Sequence, residues 1–188
     1  MHSTRVRDLA YIAVFTAIIA VMAQISIPMP GGVPFTLQTL AVPLAGVVLG
    51  PKRGALSGLL YILLGFIGVP VFTGFTGGPG HIIGVTGGFI TAFPIMALLA
   101  GWGVMYYDRH GGGAGWAVLY LSLTAATAAA YLIGVIWFAA VTGGTVKEAF
   151  LLCAAPFIVT DLIKIALTGA LGVLLRRTLI KAHVLEAP

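Results

Sequence analysis

The sequence predicts an all-α fold: an integral membrane bundle of six transmembrane helices with both termini cytoplasmic. Three observations carry that prediction. Of the 188 residues, 60% are hydrophobic and only 8% are charged, with a mean hydropathy of +1.09, and so few charges cannot clothe a water-facing surface. Six apolar segments follow one another along the chain, and at roughly 20 residues per bilayer-spanning helix they leave room for little else. The ten Lys and Arg residues, all but two, fall where six passes put a single side of the membrane.

The apolar segments are residues 9–27, 37–49, 55–72, 89–106, 116–141 and 156–175. The first follows Arg5 and Arg7; its basic start, apolar stretch and small residues at Val21 and Ala23 resemble a secretory signal, but the expectation is an uncleaved span. The second is short of the usual span and interrupted by Pro43, as in a tilted or partly re-entrant helix. Lys52 and Arg53 lie in the break before the third, and a glycine-rich break at 73–88 precedes the fourth. Asp108, Arg109 and four glycines separate the fourth from the fifth. Pro156 opens the sixth, where a first helical turn does not miss its N–H. No soluble domain or linker interrupts this order, so residues 1–188 are expected to form a single six-helix domain.

Six passes place Arg5, Arg7, Lys52, Arg53, Arg109, Arg176, Arg177 and Lys181 together, with Lys147 opposite and Lys164 inside the membrane. The positive-inside rule makes the shared side cytoplasmic. The net charge of +5 therefore reflects topology, and nucleic acid is not an expected partner.

Asp161 and Lys164 lie three residues apart inside the sixth segment, on one helical face. Ionisable side chains are expensive in lipid, turn toward the bundle interior and mark substrate or ion sites by default. If Pro156 occupies the first turn, the two lie roughly 8 and 12 Å below the outer end. The same topology brings Gln38 and the 73–88 loop to that end. Asp161 only accepts hydrogen bonds, Lys164 only donates and Gln38 does both, a set that can hold a neutral polar ring or an acid. A structural alternative stands beside this, because an acid and a base at i and i+3 partly neutralise each other and can bridge helices without a ligand. Gln38 could equally cap or join neighbouring helices. The loop glycines Gly74, Gly77, Gly78, Gly80, Gly84, Gly87 and Gly88, among Phe72, Phe75, Thr76 and His81, allow close approach to a ligand or serve plain turns.

Other chemistry is thin. No G-x-x-x-x-G-K-[S/T] phosphate loop and no H-E-x-x-H pair occurs, and the lone Cys153 rules out an intramolecular disulfide. Asp8, Asp108, Glu148 and Glu186 read as helix-end or solvated carboxylates. A membrane enzyme using Asp161 and Lys164 as acid and base is the rival class, disfavoured because no nucleophile or metal set accompanies them. On the first helix Ala10, Ala13, Ala17 and Ala20 form a small-residue stripe that fits a neighbouring helix of the bundle or of another protein.

The stretch Val33-Pro34-Phe35-Thr36-Leu37-Gln38-Thr39-Leu40, followed by Leu49-Gly50-Pro51-Lys52-Arg53-Gly54, resembles the BioY family. Further matches follow in order: Tyr61-Ile62-Leu63-Leu64-Gly65-Phe66-Ile67-Gly68-Val69-Pro70-Val71-Phe72, then Gly84-Val85-Thr86-Gly87-Gly88-Phe89, then Pro156-Phe157 with Asp161 and Lys164. One departure is Val85-Thr86, where the family typically has Gly-Pro before the paired glycines. The resemblance implies a biotin-specific substrate-binding component (S component) of an energy-coupling-factor (ECF) transporter in a bacterial or archaeal cell membrane, with the same fold carrying another vitamin as the alternative. It implies no cofactor, biotin as the transported ligand, and as partners the lipid bilayer with, in some members, a transmembrane coupling subunit and two ATPase subunits. It carries substrate contact onto Asp161 and Lys164, then Gln38, Thr36, Phe72, Phe75 and Gly78, and carries docking of the coupling subunit onto Ala13 and Ala17.

Overall fold

A computed structural model describes residues 2–185 of the chain; Glu186, read above as a helix-end or solvated carboxylate, lies outside them. Helix α1 (His2–Gln24) leads into a two-stranded antiparallel ribbon, β1 (Ser26–Ile27) with β2 (Phe35–Thr36), in which Ser26 pairs with Thr36 and Ile27 with Phe35. Next come α2 (Gln38–Leu49), α3 (Pro51–Phe66), the short α4 (Gly80–Ile83) and α5 (Gly87–Thr91), then α6 (Phe93–His110) and α7 (Gly112–Thr142). Helix α8 (Val146–Cys153) and one 3-10 turn (Ala155–Phe157) precede α9 (Ile158–Lys181).

Every apolar segment of the sequence contains a helix. Four helical stretches, Val6–Gln24, Gly87–His110, Gly112–Thr142 and Val146–Lys181, are long and apolar enough to cross a membrane. Helices α2 and α3 are shorter, at 12 and 16 residues. The reason for α2 lies in its place. Ten of its twelve residues are buried, so protein rather than lipid surrounds it, and its length need not match the bilayer. Gly50, at φ 85°, ends it and leaves a single residue before Pro51 starts α3. The third segment was expected to stay helical to residue 72, but α3 stops at Phe66. Gly68 adopts φ 101° and Pro70 cannot donate to a helical ladder, so the chain leaves the helix there.

Small residues let α2, α3 and α6 touch backbone to backbone. A Cβ on Gly46 would fall 2.1 Å from the Ala97 carbonyl oxygen of α6, and one on Gly54 would fall 2.6 Å from the Cα of Gly46. Such close crossings are how helices associate where no water drives them together. Around this inner layer, Leu121, Leu132, Leu174 and Val159 of α7 and α9 stay exposed, as expected of surface solvated by acyl chains.

At the end opposite the site, Arg176 is 8% exposed; its Nε donates to Asp108 Oδ2 at 2.8 Å and its guanidinium to the Val48 carbonyl at 2.7 Å. The pair ties α9 to α6 and α2. Asp108 is thus no solvated carboxylate, since Arg176 from 68 residues away covers it. Asp8 forms a more open ion pair with Arg53 at 2.8 Å. Glu148 is a helix-end residue, closing a reciprocal capping box with Thr145 at the start of α8.

Candidate functional site

Asp161 and Lys164 owe their position to how α9 begins. The 3-10 turn at Ala155–Phe157 takes up Pro156, so α9 starts at Ile158, closer to the two charges than the sequence suggested. Asp161 therefore sits in the first turn, where the positive end of the helix dipole favours an anion, and Lys164 follows on the same face. They form an ion pair at 2.8 Å with side chains only 5% and 6% exposed.

Facing helices satisfy the remaining polar capacity of the pair. From α2, the Thr39 hydroxyl donates to Asp161 Oδ1 at 3.0 Å, and the Tyr131 hydroxyl of α7 donates to Oδ2 at 2.6 Å. Lys164 Nζ donates to the Thr36 carbonyl and to Thr39 Oγ1, each at 2.8 Å, and stands 4.0 Å from the centroid of the Phe35 ring, a cation–π contact. Gln38 belongs to an adjoining chain of bonds. Its Nε2 donates to the Tyr61 hydroxyl at 2.7 Å, and its Oε1 accepts from Thr36 Oγ1 at 3.1 Å. Buried charges are tolerable only when paired and hydrogen-bonded in this way.

These groups border a cavity of about 230 Å³. Asp161, Lys164, Gln38, Thr36 and Thr39 supply its polar side, and Phe35, Tyr61, Phe72, Phe89, Phe93 and Phe157 supply an aromatic wall. A mostly apolar hollow with a few convergent polar groups is what a small-molecule site requires. Phe72, 1% exposed, packs edge-on against Tyr61 at 5.5 Å and tilts toward His81 at 5.4 Å. Its ring fits there because Gly65 has no side chain: a Cβ at that position would lie 2.1 Å from Phe72 Cζ.

Five of the seven expected contact residues thus come together: Asp161, Lys164, Gln38, Thr36 and Phe72. Phe75 and Gly78 do not line the cavity, and Phe75 is 73% exposed. Ala13 and Ala17 lie elsewhere, on an exposed face of α1. Sequence reasoning missed Thr39, Tyr61 and Tyr131. Tyr131 did leave a signal, since a hydroxyl halfway along a 31-residue apolar helix needs a partner. Among the described residues no cluster of His, Cys, Asp and Glu could hold a metal ion.

Comparison with known proteins addresses the family and the fold. Residues 1–181 match the BioY family. The "Probable biotin transporter BioY" of Pyrococcus horikoshii is 45% identical over 162 residues, covering 86% of this chain and 91% of that protein. The "Biotin transporter BioY2" of Lactococcus lactis subsp. cremoris is 38% identical over 179 residues, covering 95% of each. Among solved structures, the crystal structure of the S-component for biotin from an ECF-type ABC transporter superposes with a TM-score of 0.83 at 27% identity, over 94% of both chains.

Proposed function

The chain belongs to the BioY family, and we propose that it is the membrane-embedded, high-affinity biotin-binding subunit of a biotin uptake system. The observation that carries this reading is the buried Asp161–Lys164 pair at the polar side of an aromatic-walled cavity. Biotin's cyclic urea offers two N–H donors and one carbonyl acceptor, and its tail ends in a carboxylate. Asp161 accepts a urea N–H. Lys164 serves the urea carbonyl or the carboxylate, and the aromatic wall holds the thioether ring and the hydrocarbon tail. A charge-assisted acceptor and donor fixed on one helix face give the orientation that apolar contacts alone cannot.

In this reading the chain makes six passes through a bacterial or archaeal cell membrane with both termini cytoplasmic, a topology supported by the one-sided basic residues. The cavity then opens outward. The exposed Ala13 and Ala17 of α1 suit close docking of an ECF transmembrane coupling subunit, itself carried on two ATPase subunits; a subunit working alone would leave that face to lipid. It is a binding component rather than an enzyme, as its membership of a family of transporters supports.

The test is isothermal titration calorimetry of biotin on detergent-purified protein stripped of co-purified ligand, beside the Asp161→Asn variant. Tight wild-type binding that disappears in a folded variant is expected. A stripped, folded wild type that binds no biotin overturns the substrate assignment and turns attention to other vitamins.

A further inference from the structure

Gln24 is the last residue of α1, and its side chain leaves that helix to hold a different part of the molecule. Its Nε2 lies 3.0 Å from the Ala20 carbonyl within α1, and 3.2 and 3.1 Å from the carbonyls of Val71 and Phe72. Its Oε1 accepts from the Phe75 N–H at 2.8 Å. One amide therefore grips both arms of a tight hairpin, in which Phe72 and Thr76 exchange backbone hydrogen bonds of 2.9 and 3.3 Å.

The hairpin tip is strained. Gly74 has φ 74°, which glycine accepts readily, but Phe75 has φ 55°, a conformation that non-glycine residues keep only when their surroundings impose it. The Phe75 ring is 73% exposed and cannot supply that constraint. Gln24 Oε1, bonded to the Phe75 N–H, does. On its other arm the hairpin delivers the Phe72 ring into the cavity wall, between Gly65, Tyr61 and His81. Tyr61 in turn accepts from Gln38. A continuous line of contacts thus joins the end of α1 to the polar groups of the site, although Gln24 itself does not line the cavity.

We infer that Gln24 is a positioning residue that sets how long the cavity retains its ligand, by clasping the Phe72–Thr76 hairpin and so holding the Phe72 ring in the cavity wall. The inference rests on the biotin-binding reading for its ligand and not for the clasp. Removing the amide takes the Gln24 partner from the Val71 carbonyl and from the strained Phe75 N–H, and leaves the Phe72 carbonyl with the Thr76 N–H. With each such bond contributing modestly and additively to the closed hairpin, release is expected to quicken by roughly tenfold or more. Association, limited by reaching an open cavity, should change little.

Two measurements on the full-length protein in detergent separate the possibilities, each made on wild type, Gln24→Ala and Gln24→Glu. The Glu variant keeps an acceptor for Phe75 N–H but cannot donate to Val71 and Phe72. The first measurement is hydrogen–deuterium exchange without ligand over residues 71–76. Faster exchange there in Gln24→Ala, exchange at least as fast in Gln24→Glu, whose carboxylate faces the Ala20, Val71 and Phe72 carbonyls, and unchanged protection of α6 and α7 are expected. The second is the rate of release of labelled biotin from loaded protein. A variant that merely misfolded would offer fewer sites with the wild-type release rate, whereas loss of the clasp raises the rate itself. Unchanged exchange at 71–76 in Gln24→Ala overturns the clasp, and faster exchange with unchanged release overturns its role in retention. If the wild type binds no biotin, the substrate reading fails on its own, and the exchange experiment still decides whether Gln24 holds the hairpin.

Discussion

Replacing Asp161 by Asn leaves Lys164 buried without its counter-charge, which makes the variant a probe of stability as well as of binding. The two side chains meet at 2.8 Å and are nearly excluded from solvent. With an effective dielectric constant of about 20, Coulomb's law gives an attraction of about 6 kcal/mol at that distance. Desolvation cancels part of it, and breaking a buried pair from one side costs about 3–5 kcal/mol. The ammonium keeps the Thr36 carbonyl and Thr39 hydroxyl, which places the expected loss toward the lower end of that range. Lys164→Gln should cost a similar amount, by stranding the carboxylate. The double variant, Asp161→Asn with Lys164→Gln, leaves two neutral amides that can bond to each other and to Thr39. Its loss should fall short of the sum of the singles by about 2 kcal/mol or more, as contacting residues do in a double-mutant cycle. Reversible unfolding in mixed micelles, titrated with sodium dodecyl sulfate, measures the stabilities, and calorimetry with biotin measures binding. Stability should return in the double variant while biotin binding stays absent. Additive single losses would show that the pair is not coupled, and wild-type affinity in the double variant would sink the proposed site.

Two further outcomes test the cavity's architecture. Tyr131→Phe removes the 2.6 Å hydrogen bond to Asp161 Oδ2 and should lower folding stability in the absence of biotin by about 1.5–3 kcal/mol, the range for a bond to a charged group, with biotin affinity falling by less than that or not at all, because the bond exists before a ligand arrives; an unchanged unfolding transition in mixed micelles would show that the hydroxyl does not support the carboxylate. Gly65→Ala puts a methyl group 2.1 Å from Phe72 Cζ, so the ring must leave its slot. Binding should fall at least about tenfold with helix content by circular dichroism unchanged, because a misplaced group of this kind perturbs the wall rather than the bundle, and wild-type affinity would show that the Phe72 position does not matter.

How much of this was legible in the sequence depends on the range of the interactions involved. Asp161 and Lys164 stand out because charge is scarce in an apolar chain, and their shared face follows from helix periodicity alone. Gln38 was legible as a polar residue at a helix end. The capping box of Thr145 and Glu148 is equally local, and Glu148 read correctly as a helix-end residue. Asp108 was read as a helix-end or solvated carboxylate; it does lie at the end of α6, but its burial could not be read because it depends on Arg176 in another helix. Thr39 looks like any hydroxyl until α2 packs against α9 and turns it between both charges. The third segment was carried past Gly68 and Pro70 because hydropathy continues there while helical geometry does not. Phe75 was carried over as a ligand contact by the family resemblance, yet the hairpin puts the Phe72 ring into the cavity wall and leaves the Phe75 ring exposed.

The sequence also posed structural and binding roles for the charged pair as alternatives, and under the proposed function the two are compatible. Among the described residues, the strong partners of Lys164 are Asp161, the Thr36 carbonyl, the Thr39 hydroxyl and the Phe35 ring. A bound urea or carboxylate must therefore replace or share bonds that already exist. Net affinity is then the difference between two satisfied states, and it favours the ligand only if the ligand's groups fit the same donors and acceptors as well as Thr39 and Tyr131 do. A ligand lacking an N–H for Asp161 gains nothing from displacing those hydroxyls and leaves a buried carboxylate short of a donor, a loss of about 1–3 kcal/mol or more for a charged group. Discrimination of this kind comes from the mismatch cost of buried polar groups, which is larger than the small differences that an aromatic wall alone can enforce. In the proposed reading the internal bonds that stabilise the bundle are thus the same bonds that make the cavity selective.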